Sequence, residues 1–361
     1  MKVLIAINSL DTGGAEKLVL DALPKFVEKG IDISLLLLNG ENTSFLTSLE
    51  RDECCAIHKV STGSVYNPFL IFRLIPYVRK YDIIHVHLFP ALYWVVFAKL
   101  CSFSSTKLVF TEHNTTNRRR NLFIFKWIDR FVYSRYAKII TVSTEVKLFL
   151  KEYLQVKNKK FTTITNGVNL EHFNTIETAH SKLFENDSDE VWTIVQVAAF
   201  TRQKDQETLL KSIPYVIFPV QLLLVGKGPL RLKLENLAQS LEIEDKVTFL
   251  GERIDIQQIL KTAHVAVLSS HYEGLSLSGV EAMAAGIPLV AANVSGLKTL
   301  VHGAGILFEH RNEIDLANKI NLLLSDEKHY LETTTLCIKR AQKYSLDTMV
   351  DSHIKLYNEL L

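Results

Sequence analysis

The chain has 361 residues, 47% of them hydrophobic, enough for two cores of ordinary domain size rather than one. Its net charge of +2 argues against a dedicated nucleic-acid binder. Its four cysteines (Cys54, Cys55, Cys101, Cys337) lack a CxxC spacing, which points to a reducing compartment without structural zinc.

The first apolar run, Val3–Ile7, stops at Asn8 and is too short for a signal peptide. Short β-rich runs follow at Ile33–Leu38, Ile83–His87, Leu108–Thr111 and Ile139–Val142, with helical patterns between several of them, as at Ala15–Lys29 and Ser143–Tyr153. The longest apolar stretch, Leu88–Leu100, carries Pro90 and Lys99 and cannot span a bilayer, so the expectation is a soluble, cytoplasmic protein. After the polar stretch His180–Glu190 a second series begins: Trp192–Val197, Gln221–Val225, Val247–Phe249, Val265–Leu268, Pro288–Ala291 and Gly305–Phe308. Near-continuous apolar strands alternating with helices indicate parallel sheets covered on both faces. The reading is α/β, two doubly wound domains with the boundary near Gly167–Phe173. The last segment, Ser345–Leu361, reads as an amphipathic helix that either caps the second domain or crosses back onto the first.

The most informative segment runs from Ser269 to Gly286. Glu273 and Glu281 stand eight positions apart, divided by Gly274-Leu275-Ser276-Leu277, directly after a strand-like run. Open α/β sheets place ligands at such a strand end, and the two carboxylates are spaced to address different parts of one elongated ligand. For Glu281 a purely structural alternative exists, because Ser278-Gly279-Val280-Glu281 fits a capping box with the glutamate in the first helical turn.

Other strand ends carry further candidates. Gly13-Gly14 precedes a helix whose N-terminus offers N–H groups to an anion, although a glycine pair also makes an ordinary tight turn. Arg202 and Lys204 follow the strand-like run Trp192–Val197, where cations suit an anionic ligand; solvated loop charge is the plain alternative. Gly226 and the Gly251–Arg253 loop follow the next two strands. His85, His87 and His113 nominally make a metal-ligand triplet. Arg118-Arg119-Arg120, the aromatics Phe123, Phe125 and Trp127, and Lys157–Lys160 suggest contact with an anionic membrane surface, against a plain reading as solvated surface and core.

Taken in order, Gly13-Gly14-Ala15-Glu16-Lys17, Asp82-Ile83-Ile84-His85-Val86-His87, Thr111-Glu112-His113-Asn114, Thr165-Asn166-Gly167-Val168, Gln203-Lys204-Asp205, Val225-Gly226-Lys227-Gly228-Pro229, Phe249-Leu250-Gly251 and the Glu273–Gly286 block span essentially the whole chain. With them it resembles the retaining, nucleotide-sugar-dependent glycosyltransferases of the GT-B fold, family 4. The resemblance implies two Rossmann-like domains facing each other across a cleft, with the final helix returning to the first. It implies an acceptor-side domain of residues 1–168 plus 345–361 and a donor-binding domain of residues 169–344.

It further implies transfer of a hexose or N-acetylhexosamine from a nucleotide sugar, UDP-linked by preference, to a saccharide or lipid-linked glycan in cell-envelope or exopolysaccharide synthesis, without cofactor or metal. Catalytic roles fall on His113, Lys204 and Glu273. Donor contacts fall on Gly13, Gly14, Arg202, Lys204, Gly226, Gly251, Arg253, Glu273, Gly274, Leu275, Ser276, Leu277 and Glu281, with Glu281 on the ribose and Glu273 on the sugar hydroxyls. The chain departs from the family at Ala199, where an arginine is common, and at Ser276, where glycine is common. Arg202 is a candidate replacement for the absent cation. A two-domain sugar-nucleotide epimerase and a non-catalytic nucleotide-sugar-binding protein are the competing readings; the completeness of the donor pattern weighs against both.

Overall fold

The computed structural model describes residues 1–11, 13–113, 123–155, 160–173 and 191–361. Asn114, the Arg118–Arg120 triplet, residues 157–159 and the polar stretch 180–190 lie outside them. The chain divides into two compact units, residues 1–167 with 346–361, and residues 168–345.

The first unit alternates β1 (Lys2–Ile7), α1 (Gly14–Glu28), β2 (Asp32–Asn39), α2 (Ser44–Asp52), β3 (Ala56–Ser61), α3 (Leu70–Lys80), β4 (Ile83–His87), α4 (Ala91–Ser102), β5 (Lys107–Glu112), α5 (Phe123–Ser134), β6 (Lys138–Thr141), α6 (Thr144–Leu154) and β7 (Phe161–Thr163). Its sheet runs β3-β2-β1-β4-β5-β6-β7, parallel throughout. The period of two in a strand explains the continuous apolar runs. Leu4 and Ala6 of β1 face one core with Leu74, Val95 and Tyr133, while Val3, Ile5 and Ile7 face another with Leu23 and Leu46.

The second unit holds β8 (Trp192–Val197), α7 (Gln206–Ser212), β9 (Val220–Val225), α8 (Arg231–Ser240), β10 (Val247–Gly251), α9 (Ile256–Lys261), β11 (Val265–Leu268), α10 (Leu277–Ala284), β12 (Leu289–Ala292), α11 (Leu297–Val301), β13 (Ile306–Phe308), α12 (Glu313–Ser325) and α13 (Glu327–Ala341). Its parallel sheet runs β10-β9-β8-β11-β12-β13. Successive strands are laid down outward from β8 on one side and from β11 on the other, so the order reverses between those two.

The final helix, α14 (Leu346–Asn358), belongs to the first unit. Its Leu346, Met349, Val350, Leu356 and Tyr357 join the core that α1 covers. Phe26 of α1 stacks on Tyr357 with ring centroids 6.0 Å apart. The choice left open by the sequence is therefore settled in favour of the crossing. Two strands escaped the sequence reading. β3 has only Val60 fully buried and no apolar run to mark it, and β7 is three residues long. Among the described residues no helix is long and apolar enough to cross a membrane.

Candidate active site

In the second unit the loops after β8 and β11 meet where the strand order reverses. Lys204 closes a single 3-10 turn, Arg202–Lys204, and Glu273 lies in the loop between β11 and α10. Lys204 Nζ is 2.5 Å from Glu273 Oε1, with side chains 22% and 8% exposed. Ser270 Oγ donates to the same carboxylate oxygen at 2.8 Å. Glu273 Oε2 has no partner among the described residues, so one oxygen is committed to holding the side chain and the other remains available to accept from hydroxyl groups.

Beneath this pair, Ser269 ties the two loops together. Its hydroxyl lies 2.7 Å from the Asp205 carbonyl and 3.1 Å from that of Lys204, and it accepts from Gln196 Nε2 at 2.9 Å. His271 N–H donates to the Gln203 carbonyl at 2.8 Å and Gln203 Nε2 to the Tyr272 carbonyl at 2.9 Å. Gly296 supports the loop from the far side. Its φ is +85°, and a Cβ there would come within 2.2 Å of the Glu273 carbonyl oxygen and 2.5 Å of that of Gly274.

The adjoining glycine loops are knitted in the same way. Gly226 has φ +140°, and a Cβ on it would strike the Ala198 carbonyl oxygen at 2.1 Å. Its N–H donates to the Gly251 carbonyl at 2.7 Å. Phe200 N–H donates to the Lys227 carbonyl at 2.9 Å and Leu230 N–H to the Phe200 carbonyl at 3.1 Å. These contacts hold the loops after β8, β9 and β10 against one another at the carboxyl edge of the sheet.

The capping-box alternative for Glu281 does not hold. The N-cap of α10 is Ser276, whose hydroxyl accepts from Gly279 N–H, so position N3 is Gly279 and Glu281 sits further in. Glu281 is therefore not in the first turn. The short loop leaves Ser276, not Ser278, in the extended conformation a cap requires, at φ −77° and ψ 106°. Ser276, which stands where the family commonly has glycine, thus starts the helix. Leu277 is its first residue, and Leu275 and Leu277 pack against the core of this unit.

Among the described residues no hydrogen bond or ion pair links Arg202 or Arg253 to Lys204 or Glu273. Arg202 lines a polar groove of about 550 Å³ with Asp205, Glu207, Lys211, His271 and Arg311. Arg253 is engaged by Asp255, with Nη2 to Oδ2 at 2.6 Å, in an exposed pair. Ala199 is exposed, and its carbonyl accepts from Gln206 Nε2 at 3.1 Å.

In the first unit the order reverses between β1 and β4, and Asn8 bridges the two loops there. Its Nδ2 donates to the Phe89 carbonyl at 2.8 Å and its Oδ1 accepts from Ala91 N–H at 3.2 Å. Gly13 is the N-cap of α1, in extended conformation. A Cβ on Gly13 would come within 2.2 Å of Glu16 Oε2, whereas Gly14 has nothing within 4 Å. The helix N-terminus that the sequence offered to an anion thus carries its own carboxylate, and burial raises the Glu16 pKa.

His113 directly follows β5 and meets His87, with Nε2 to His87 Nδ1 at 3.0 Å. His85 and His87 share one face of β4, ring centroids 4.4 Å apart. Burial pushes His113 down to about 4 and lowers His85 and His87 well below the usual imidazole range. Among the described residues no group of three or more His, Cys, Asp or Glu side chains is arranged to hold a metal ion.

Two family models match the chain, Glycosyltransferase Family 4 over residues 12–172 and Glycosyl transferases group 1 over residues 177–344. The chain is a glycosyltransferase of the GT-B fold, related to family 4. An uncharacterized glycosyltransferase of Haemophilus influenzae is 24% identical over 352 residues, covering 96% of each chain. The Escherichia coli UDP-Gal:alpha-D-GlcNAc-diphosphoundecaprenol alpha-1,3-galactosyltransferase is 29% identical over 267 residues, 69% of this chain and 68% of the relative. In fold, the glycosyltransferase is similar to Anabaena HepE, solved in complex with UDP-glucose, at a TM-score of 0.85 and 20% identity over 99% of this chain and 100% of the other.

The sequence reading gave no role to Ser269, Ser270, Gln196, Gly296 or Asn8. Ser269 and Ser270 directly follow β11 and stand just before Glu273, which was the available signal. Nothing local marks Gly296, which acts on a loop 22 positions earlier in the chain.

Proposed function

We propose that this glycosyltransferase moves a hexose or N-acetylhexosamine from a UDP-sugar, with retention of anomeric configuration, to a saccharide or lipid-linked glycan in cell-envelope or exopolysaccharide synthesis. The observation that carries the reading is the Lys204–Glu273–Ser270 group at the point where the second sheet reverses order, the place where doubly wound sheets bind nucleotides. Oε2 of Glu273 accepts from the donor-sugar hydroxyls. Lys204 supplies positive charge as charge grows on the departing diphosphate, and its pairing to Glu273 fixes it in place before the reaction. Glu281 takes the ribose hydroxyls, and the backbone of Gly274–Leu277 flanks the sugar and phosphate. Gly226, Gly251 and Arg253 border the nucleotide. Arg202 remains the candidate for the cation that Ala199 does not supply.

Residues 169–344 are the donor domain in this reading, and residues 1–168 with 345–361 the acceptor-side domain, to which Gly13, Gly14 and His113 belong. His113 orients the reacting sugar rather than abstracting a proton. Attack proceeds on the face from which the diphosphate leaves, and the leaving phosphate receives the acceptor proton. The proposed location is cytoplasmic, peripheral to the membrane. Trp127 and Phe131, 59% and 40% exposed on α5, support membrane contact, with Arg130 and Arg135 stacked over their rings at 5.6 and 4.6 Å. Product NMR tests the reaction class: retention of the donor's anomeric configuration is expected, and inversion would overturn it.

A further inference from the structure

Charge is spread unevenly along the chain. Residues 54–144 hold thirteen Lys and Arg against three Asp and Glu, a net of +10 where the whole chain has +2, so the remainder stands at −8. Two of the three carboxylates are buried and taken up by tyrosine hydroxyls. Glu112 accepts from Tyr133, and Asp129 from Tyr93 and Tyr153. Asp82 is therefore the one carboxylate that the segment exposes. The same segment holds every exposed phenylalanine and tryptophan among the described residues: Phe69, Phe72, Phe103, Trp127 and Phe131.

Helices α3, α4 and α5 lie on one face of the first sheet, where Leu74, Val95 and Tyr133 share a core with Leu4 and Ala6. Each starts at the carboxyl edge, because each follows a strand of a parallel sheet. At the start of α3, Tyr66, Phe69 and Phe72 are 63%, 70% and 64% exposed. The backbone beneath them is held. Phe69 N–H donates to Asn67 Oδ1 at 3.0 Å, and Trp94 Nε1 donates to the Val65 carbonyl at 2.8 Å. Leu70 and Leu74 face the core, while Phe69 and Phe72, three positions apart, share the outward side of the first turn. Trp127 and Phe131 stand four positions apart on α5. Phe103 follows α4 at the opposite edge and is no part of this patch.

Exposed apolar side chains rimmed by charge mark an interaction site. Here the charge decides the partner. A second copy meeting the patch through the same face would set two strongly positive segments against each other. An anionic lipid surface attracts the cations and accepts the aromatic rings at its headgroup boundary. We propose that the Tyr66–Phe72 segment enters an anionic bilayer, with the rings of Phe69 and Phe72 at the acyl boundary and the cations of α3 and α5 against the headgroups. The inference rests on the membrane reading above. It adds the inserting residues, the sign of the lipid charge and the edge presented. That edge also carries His113, so an acceptor held in the bilayer is met at the edge where the reaction is placed.

The test is sedimentation of the full chain with phosphatidylcholine vesicles, with and without phosphatidylglycerol, in low and in high salt. The wild type is expected to bind the phosphatidylglycerol vesicles, and to bind more weakly without that lipid or in high salt. Phe69→Ser/Phe72→Ser is expected to lower the affinity by about tenfold at an unchanged urea midpoint. Leu232→Ser, in the second unit and as exposed as Phe69, is expected to leave it unchanged. A double variant that binds like the wild type overturns the inference and leaves membrane contact to α5. A wild type that binds neither vesicle overturns the membrane reading and the inference with it. Equal binding to both vesicles overturns the inference, as does a wild-type dimer that the double variant dissolves, which would assign the patch to a second copy.

Discussion

Lys204 Nζ and Glu273 Oε1, 69 positions apart in the chain, stand 2.5 Å from each other between the loops that follow β8 and β11. Either residue alone reads as a loop charge; together, with Ser270 on the same carboxylate oxygen, they form a fixed charged group whose other carboxylate oxygen has no partner among the described residues. Removing Lys204 strips a largely buried carboxylate of its partner, and removing Glu273 releases the lysine. Lys204→Ala and Glu273→Ala are each expected to lower kcat by about 10²-fold. The double variant is expected to fall little further, because the two act as a unit. Steady-state kinetics on the three variants checks this, and multiplicative losses would show that the two act independently.

Glu281 separates from Glu273 in the kind of loss expected. The capping role belongs to Ser276, and Glu281, beyond the first turn of α10, is assigned to the ribose in the proposed reading. Ribose contacts are alike in ground and transition states, whereas contacts to the reacting sugar tighten as charge develops. Glu281→Ala is expected to weaken donor binding about tenfold with little change in kcat, an effect of roughly 1.4 kcal/mol. Calorimetric titration with a UDP-sugar decides it; unchanged affinity would remove Glu281 from the site.

The helix start itself is open to a stability measurement. Ser276→Ala is expected to cost about 1 kcal/mol, as loss of an N-cap does, and Ser278→Ala much less. Urea unfolding of the two variants compares them directly. The larger loss at Ser278 would reinstate the capping box that the sequence suggests.

His85, His87, His113 and His353 of the first unit carry a pH signature. Burial depresses His113 and His353 to about 4 and places His85 and His87 well below the ordinary imidazole value of 6.5. In the unfolded chain they take up protons near pH 6.5 that the folded chain refuses. This contribution to stability is complete above about pH 6.5 and falls as pH drops from there toward about 4. Urea midpoints at about pH 7.5, 6 and 5 are expected to decline in that order, and more gently in His353→Phe. A flat profile would mean that the imidazoles titrate normally in the fold.

Much of this architecture is legible in the sequence because parallel strands buried on both faces announce themselves as apolar runs. Val3–Ile7, Ile83–His87, Trp192–Val197 and Val265–Leu268 lie within or coincide with observed strands. β3 is hidden because its residues Ala56–Ser61 are mostly half-exposed at the sheet edge, and β7 because three residues carry no period. At the site, the chemistry-bearing residue types are visible and their partners are not. The choice between Ser276 and Ser278 as cap turns on backbone angles that the local sequence allows at either serine. The reach of Tyr357 to His85, 272 positions away, depends on α14 returning to the first unit, which no local pattern encodes.

Binding of a UDP-sugar by the second unit, through the group built on Lys204, Glu273 and Glu281, is the claim on which the rest depends. Calorimetric titration of the wild-type chain and the Glu281→Ala variant with a panel of UDP-, GDP- and ADP-sugars tests it most directly. Saturable binding of a UDP-sugar that weakens in the variant is the predicted result. Absence of UDP-sugar binding, or a GDP- or ADP-sugar bound in its place, would contradict it.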